Sequence, residues 1–452
     1  MKRIIMALCF GPLLAVTGCS LDDYNGKPPS SAQFTITIEN VATAYPFIKS
    51  GVFNMPSGDT QAGAATPGKE FEFTIDAGRS EHLSFATMLA ATNDLFYGPD
   101  DEGIALYDDE GNPISGDVTD QVYLWDAGTE VNEEPAVGPN TVTNQPAPDT
   151  GEDENENVRS INDVTTGFDF NYPAVNEIIN VSIAHVDGTQ FKVTIKDLAT
   201  AMLATSEGDR PAPLSPGVWV VHAGLNPLYT IGEPDFGNGV EAIAEDGNAS
   251  PLGEYASTHT GVTYPASPGG WVVHDHGTKP LFTEGSPDYG QGVEAIAEDG
   301  SEVILGTNLD NLSGEEESAV FNTPEGSTSP GAILPGSKYT FSIKAAANEN
   351  LSFATMLAAT NDVFFAPKDE GIALFDENGN PISGDITDQV YLWDAGTEVN
   401  EEPAIGPNTV TNQLAPDTGE EENGNVMLLS DVNDGFNYPT VAQTLKVTIT
   451  AN

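Results

Sequence analysis

Short runs of alternating apolar and polar residues dominate this chain. An alternation with a period of two indicates β-strands that bury one face. The clearest runs are Phe34–Ile38, Phe71–Ile75, Phe191–Ile195, Tyr339–Ile343 and Leu445–Ile449. Gly, Pro, Asn and Asp residues separate the runs, which is typical of an all-β sandwich or barrel. Short helices are predicted at 239–244 and 292–297, where VEAIAEDG ends in glycine.

A long segment occurs twice. Leu83–Gln145 returns as Leu351–Gln413 without a gap, and the copies differ at nine of 63 positions. A repeat of this length indicates a duplicated domain, because solenoid repeats are roughly 20–50 residues long. The sequence therefore predicts two similar domains in tandem, at residues 33–185 and 190–452.

The second predicted domain holds a shorter duplication, within residues 215–300. The segment SPGVWVVH at 215–222 returns as SPGGWVVH at 267–274, and VEAIAEDG follows both copies. The first predicted domain has no such module in its own part of the sequence. Either this domain is trimmed or it completes its sheet in another way.

The N-terminus has the features of an export signal. A basic start leads into the apolar stretch Ile4–Val16, which is too short to span a bilayer. The tetrapeptide VTGC, which ends at Cys19, resembles the lipobox of bacterial lipoproteins. We predict a signal peptide at 1–18, lipidation of Cys19 and a polar tether at 19–32; an ordinary secretory signal is the alternative. The resemblance to lipoproteins implies that Ser20, rather than Asp, after the cysteine favours the outer membrane.

The composition narrows the classes of partner. The chain has 69 acidic and 15 basic residues, for a net charge of −54. This charge excludes nucleic-acid binding. It favours a location outside the cell, where salt or calcium screens the repulsion among the acidic side chains. Hydrophobic residues make up 39 % of the chain, enough for real cores. With Cys9 in the signal peptide and Cys19 lipidated, the mature chain has no disulfide.

Two carboxylates lie four residues apart in a glycine-containing turn, Asp126 and Glu130. Asp94 follows the apolar run Phe85–Ala90, so we place it just beyond the end of a strand. Calcium takes six to eight oxygens from carboxylates and loop carbonyls, which acidic loops at one edge of a sandwich supply. A solvated acidic loop is the alternative interpretation of this spacing.

The order of motifs along the chain resembles the spondin domain. The motifs are FTITIEN, SPG-x-WVVH, G-x-EAIAEDG, LSFATML-x-x-TND-x-F and DAGTE; the last two are the specific ones, and each occurs twice. The resemblance implies C2-like antiparallel β-sandwiches with one calcium ion each. The implied ligands are Asp94, Asp126, Glu130, Asp362, Asp394 and Glu398. Animal members carry Asp in place of Glu130 and Glu398, which puts denticity and affinity in doubt.

Other candidates carry weaker signals. Asp163 and Asp431 follow acidic loops and offer further ligands, although a solvated surface is the preferred interpretation. His274 and His276 suggest zinc, but the other copy has no equivalent of His276. His222 and His274 end alternating strands beside a Trp, so packing or a hydrogen bond is the preferred interpretation of these two residues. No nucleophile elbow, HExxH helix or phosphate loop occurs.

These observations predict a non-catalytic, calcium-binding lipoprotein of the cell envelope. The resemblance implies adhesion or matrix binding, with the membrane bound through Cys19 and an extracellular protein or glycan as partner. The alternative is a carbohydrate-active enzyme or a carbohydrate-binding accessory that uses the same acidic loops.

Overall fold

The computed structural model of the protein describes residues 31–313 and 317–452. The predicted signal peptide, Cys19 and nearly all of the predicted tether lie outside the described residues. No helix in the described part of the chain is long and apolar enough to cross a membrane.

Antiparallel strands form most of the regular structure. In chain order they are β1 (Ser31–Asn40), β2 (Lys49–Phe53), β3 (Glu70–Asp76), β4 (Glu81–Leu89), β5 (Leu95–Gly98), β6 (Ile104–Ala105), β7 (Gly116–Asp117), β8 (Tyr123–Asp126), β9 (Arg159–Ser160), β10 (Ile179–Asp187), β11 (Gln190–Asp197), β12 (Met202–Thr205), β13 (Gly208–Pro211), β14 (Leu214–Ala223), β15 (Ala266–Asp275), β16 (Ser318–Phe321), β17 (Lys338–Ala346), β18 (Glu349–Leu357), β19 (Val363–Pro367), β20 (Ile372–Ala373), β21 (Gly384–Asp385), β22 (Val390–Asp394), β23 (Met427–Leu428) and β24 (Leu445–Ala451). The predicted all-β class is confirmed.

The α-helices are short. They are α1 (Val175–Ile178), α2 (Val240–Asp246), α3 (Ser250–Thr258), α4 (Val293–Asp299), α5 (Val303–Ser313) and α6 (Val441–Thr444). Helices α2 and α4 are the two predicted from VEAIAEDG. Gly247 and Gly300 end them in the left-handed conformation, with φ of 65° and 63°, which explains why each run stops at glycine.

Apart from β12 and β13, which pair with each other as a separate hairpin, the strands form two similar sandwiches. In the first, a small sheet has the order β3-β11-β10-β7, and a large sheet has the order β2-β14-β4-β5-β8-β9, with β6 on β4. In the second, the small sheet is β17-β1-β24-β21 and the large sheet is β16-β15-β18-β19-β22-β23, with β20 on β18. Each strand of one sandwich thus has a counterpart in the other.

This pairing differs from the predicted division of the chain. Strand β1 belongs to the second sandwich, where it pairs with β17 and β24. The predicted boundary near 185–190 falls in the tight hairpin between β10 and β11, both in the first sandwich. Strand β14, the first SPG-x-WVVH segment, pairs with β2 and β4. The first sandwich is therefore not trimmed, and the two modules of 215–300 serve one sandwich each.

Each sandwich has three layers. Phe71 and Val193 of the small sheet pack with Phe85 of the large sheet. On the other face of the large sheet, Val218 packs against Ile243 of α2. The second sandwich repeats both cores. Strand β4 is buried on both faces, so it lacks the alternation seen in the small sheet.

Candidate metal centres

The first predicted ligand, Asp94, holds the DAGTE turn in place. Leu95 pairs with Asp126 across β5 and β8, so Asp94 lies directly beside the turn that follows β8. Its Oδ2 accepts hydrogen bonds from the backbone N–H groups of Gly128 (3.0 Å) and Thr129 (3.1 Å). Its Oδ1 accepts one from Thr129 Oγ1 at 2.7 Å. Asp94 therefore fixes the position of the turn that carries the other predicted ligands.

The acidic side chains of the first sandwich form two neighbouring groups. The inner cluster consists of Asp94, Asp126 and Glu154, whose ligand oxygens all lie within 4.8 Å of one another. Asp94 and Asp126 are fully buried. Asn132 donates its Nδ2 to Asp126 Oδ2. The inner cluster therefore concentrates carboxylate oxygens in a largely dry site.

The outer cluster consists of Glu130, Asp149 and Glu245, within the same 4.8 Å limit. Glu130 Oε1 accepts a hydrogen bond from Gly151 N at 2.7 Å, and its Oε2 accepts one from Asn93 Nδ2 at 3.0 Å. Glu245 comes from α2, which packs on the large sheet. The outer cluster thus joins the turn, the returning acidic loop and a helix.

The second sandwich repeats both groups. Its inner cluster consists of Asp362, Asp394 and Glu422, and its outer cluster of Glu298, Glu398 and Asp417. Thr397 bonds to Asp362 as Thr129 does to Asp94. Gly419 and Asn361 bond to Glu398 as their counterparts do to Glu130. The same arrangement has therefore formed twice.

The structure brings together only part of each predicted ligand set. Asp94 lies with Asp126, and Asp362 with Asp394, but Glu130 and Glu398 belong to the outer clusters. Sequence reasoning missed six carboxylates that join these clusters as candidate ligands: Asp149, Glu154, Glu245, Glu298, Asp417 and Glu422. The acidic loops at 152–156 and 420–422 were a usable signal for further ligands. Nothing in the local sequence marked Glu245 and Glu298, which lie in helices α2 and α4. Asp163 and Asp431 are exposed and lie outside the four clusters.

Burial makes the ionised forms of these carboxylates unfavourable. It raises the pKa of Asp94 well above its usual range, and the charge of Asp126 adds to the effect. It raises the pKa of Asp126 and of Asp394 to about 6, and that of Glu245 and Glu298 to about 8. A bound divalent cation reverses this effect because it favours the charged form.

Two buried amide oxygens beside the inner clusters have no hydrogen-bond donor in the described part of the chain. They are Asn132 Oδ1 and Asn400 Oδ1. Asn132 is 4 % exposed, and Asn400 is its counterpart. A buried oxygen without a donor is costly unless another group satisfies it. Carboxylate and amide oxygens are the ligands of hard cations such as Ca²⁺ and Mg²⁺. The residues present therefore fit such an ion.

An open cleft lies over the outer cluster of the first sandwich. Its volume is about 540 Å³, and Asp149, Glu241, Glu245, Asp246 and Tyr255 are among the residues that line it. The cleft gives an ion a path from solvent to the buried carboxylates. Its acidic lining favours cations over anionic ligands.

The histidines form hydrogen bonds within the sheets. His222 Nε2 lies 2.8 Å from Ser84 Oγ, and its Nδ1 lies 3.1 Å from Gly224 O. His274 makes the equivalent contact with Ser352 Oγ at 2.9 Å. The preferred interpretation of these two residues, packing with a hydrogen bond, is confirmed.

Comparison with known proteins adds no family. No family matches the sequence, and no curated protein matches it either. An argument about function therefore depends on the motif resemblance to the spondin domain and on the geometry of the clusters.

Proposed function

We propose that this protein is a non-catalytic, calcium-binding protein of the bacterial cell envelope. The observation that carries the proposal is the repetition of paired carboxylate clusters in both sandwiches, each tying the DAGTE turn to a returning acidic loop. The spondin-like motif order, with calcium at one end of a sandwich, supports the same assignment.

The role of calcium follows from the electrostatics of the clusters. Without a cation, ionised carboxylates within 4.8 Å of one another repel each other and bear a desolvation cost. An ion of charge +2 removes both penalties and joins the turn to the loop. The ordered loops then form a fixed acidic surface, which recognises an extracellular protein or a glycan.

Anchoring completes the proposal. Cleavage before Cys19 and lipidation of its thiol would place both sandwiches on a membrane surface, the outer membrane by the preference attached to Ser20. Stable attachment needs more than one acyl chain, which lipoprotein processing supplies. Replacement of Cys19 by alanine should release the protein from the membrane fraction, and retention of the variant there would contradict the anchor.

Two observations favour binding over glycan hydrolysis. Glu130 and Glu398 are each 2 % exposed, and both oxygens of each accept hydrogen bonds that hold the loops. A general acid or nucleophile must reach the glycosidic bond. Glycan hydrolysis that is lost in Glu130→Gln plus Glu398→Gln, with calcium binding intact, would contradict the proposal.

Calorimetry tests the calcium assignment. Calcium titrated into EGTA-treated protein should release or absorb heat at micromolar to millimolar concentration. At a free concentration of about 100 times Kd, one site adds about 2.7 kcal/mol to the free energy of unfolding. For a domain of this size the melting temperature should rise by roughly 5–10 °C. Magnesium at the same ionic strength is the control. A calcium titration that gives no heat and leaves the melting temperature unchanged would contradict the proposal.

A further inference from the structure

The two inner clusters differ at one position that faces their central carboxylate. In the first sandwich, Arg159 of β9 pairs directly with Asp126 of β8. In the second, the same register pairs Met427 of β23 with Asp394. An arginine therefore stands in one cluster where an uncharged side chain stands in the other.

Arg159 offsets part of the negative charge of the first inner cluster. Its Nε lies 3.3 Å from Asp126 Oδ1, and an Nη lies 2.7 Å from Glu154 Oε2. The other Nη lies 3.7 Å from Glu156. The guanidinium thus contacts two of the three carboxylates that would bind an ion, and it occupies the charge-compensating position among them.

The second inner cluster lacks this compensation, while it gains one neighbouring carboxylate and loses another. Asp434 replaces Thr166, and its charge acts on Asp394. Gly424 replaces Glu156, an exposed residue that forms an ion pair with Arg159. Among the described residues, no ion pair involves Asp362, Asp394, Glu422 or Asp434.

A further observation in the second cluster points to a ligand. Asn400 Nδ2 donates to Asp394 Oδ2, while Asn400 Oδ1 is shielded from solvent and has no donor among the described residues. This amide oxygen, together with the carboxylates of Asp362, Asp394 and Glu422, offers the set of hard oxygens that calcium takes. The first cluster offers the same oxygens, but its own arginine lies among them.

We propose that the two inner clusters are not equivalent: the one in the second sandwich binds a calcium ion, and Arg159 takes the place of that ion in the first. This inference rests on the proposed function, and it specifies which of the two inner clusters binds calcium. The first sandwich keeps its turn and acidic loop together at any calcium concentration, whereas the second does so only when calcium is bound. The chain thus combines a permanent and a calcium-dependent copy of one surface.

A reciprocal exchange tests the inference. Calcium stoichiometry is measured by calorimetry on the full chain and on the variants Met427→Arg and Arg159→Met. Met427→Arg should remove one bound ion, and Arg159→Met should add one. Both positions are at least partly exposed, at 39 % for Met427 and 21 % for the Arg159 side chain, so the variants should fold. Met427→Leu and Arg159→Lys keep the charges and should leave the stoichiometry unchanged.

Hydrogen exchange locates the ion. In the unmodified chain, calcium should slow exchange more in the loop at 417–431 than in the loop at 149–163, because only the former contributes to a filled inner cluster. Equal protection of both loops, or no loss of an ion in Met427→Arg, would overturn the inference and leave the proposed function intact. Failure of every variant to bind calcium would overturn both.

Discussion

The two sandwiches have the same sheets but different routes of the chain. In the first, β10 and β11 are adjacent strands joined by a tight hairpin at Asp187–Gln190. In the second, their counterparts β24 and β1 are also paired, yet they lie at opposite ends of the described chain. Asn452 N donates to Gln33 O at 2.8 Å, which shows how closely these ends approach. The first sandwich is thus inserted between β1 and β15 of the second.

This comparison shows that the fold tolerates a break between two paired strands. Breaking a hairpin removes one turn and lengthens the loop that β1 must close, and the entropy of loop closure grows only slowly with loop length. The buried face of the strand is preserved in both sandwiches, since Phe34, Ile36 and Ile38 correspond to Phe191, Val193 and Ile195. Side-chain packing, not proximity in sequence, therefore decides where β1 pairs.

The strongest test of the assignment of β1 to the second sandwich uses one equivalent position in each sandwich. Ile36 and Val193 are both fully buried and lie opposite Phe341 and Phe73. Replacement of either by alanine should lower the free energy of unfolding, by about 2–5 kcal/mol for Ile36 and at the lower end for Val193. Ile36→Ala should speed hydrogen exchange in β17 and β24, and Val193→Ala should do so in β3 and β10. Faster exchange in β3 after Ile36→Ala, with β17 unaffected, would contradict the strand order.

A second test concerns the residue that ends each of these strands. Asn40 ends β1, and its Nδ2 donates to Tyr264 O and Ile333 O at 2.9 Å each. Its counterpart Asp197 is fully buried, its carboxylate oxygens have no hydrogen-bond partner among the described residues, and burial raises its pKa to about 8. Asp197→Asn restores a donor and should raise the free energy of unfolding by roughly 2–4 kcal/mol at pH 7.

The sign of the pH dependence follows from the raised pKa. The unfolded chain releases the Asp197 proton near pH 4, while the folded protein keeps it to about pH 8. The unmodified protein therefore loses stability as pH rises between these values, and the advantage of Asp197→Asn should grow over the same range. Asn40→Asp, the matched control, should introduce the same pH dependence into the second sandwich. A pH-independent difference in denaturant unfolding would contradict this account.

The smallest expected effect concerns contacts between the sandwiches. Asn412 is 2 % exposed, and its Oδ1 accepts hydrogen bonds from Ser80 N (3.0 Å) and Ser80 Oγ (2.8 Å) of the first sandwich. Its counterpart Asn144 is exposed and bonds only within its own loop among the described residues. Asn412→Ala should cost about 1–3 kcal/mol in thermal unfolding, and Asn144→Ala less than about 1 kcal/mol. Equal losses would show that the Ser80 contact contributes nothing.

The sequence predicted the class of fold and the repeat, because alternation and near-identity are local signals. The boundary at 185–190 was wrong because strand pairing is a long-range property. A strand such as Phe34–Ile38 carries no mark of which of two similar sheets it completes. Similarly, Asp94 and Asp126 could be predicted as neighbours from the DAGTE turn, whereas Glu245 joins the outer cluster only through the packing of α2 on the large sheet.

The position of β1 has a consequence for how the polypeptide reaches its native state. The first sandwich contains all of its strands by Ala223, so its two sheets can assemble once that part of the chain has been synthesised. Strand β1 emerges earlier than any of these strands but has no partner until β17 and β24 follow. An unpaired apolar strand is prone to association with other chains. The last strand to be synthesised, β24, is therefore one of the two that protect β1, the first described strand.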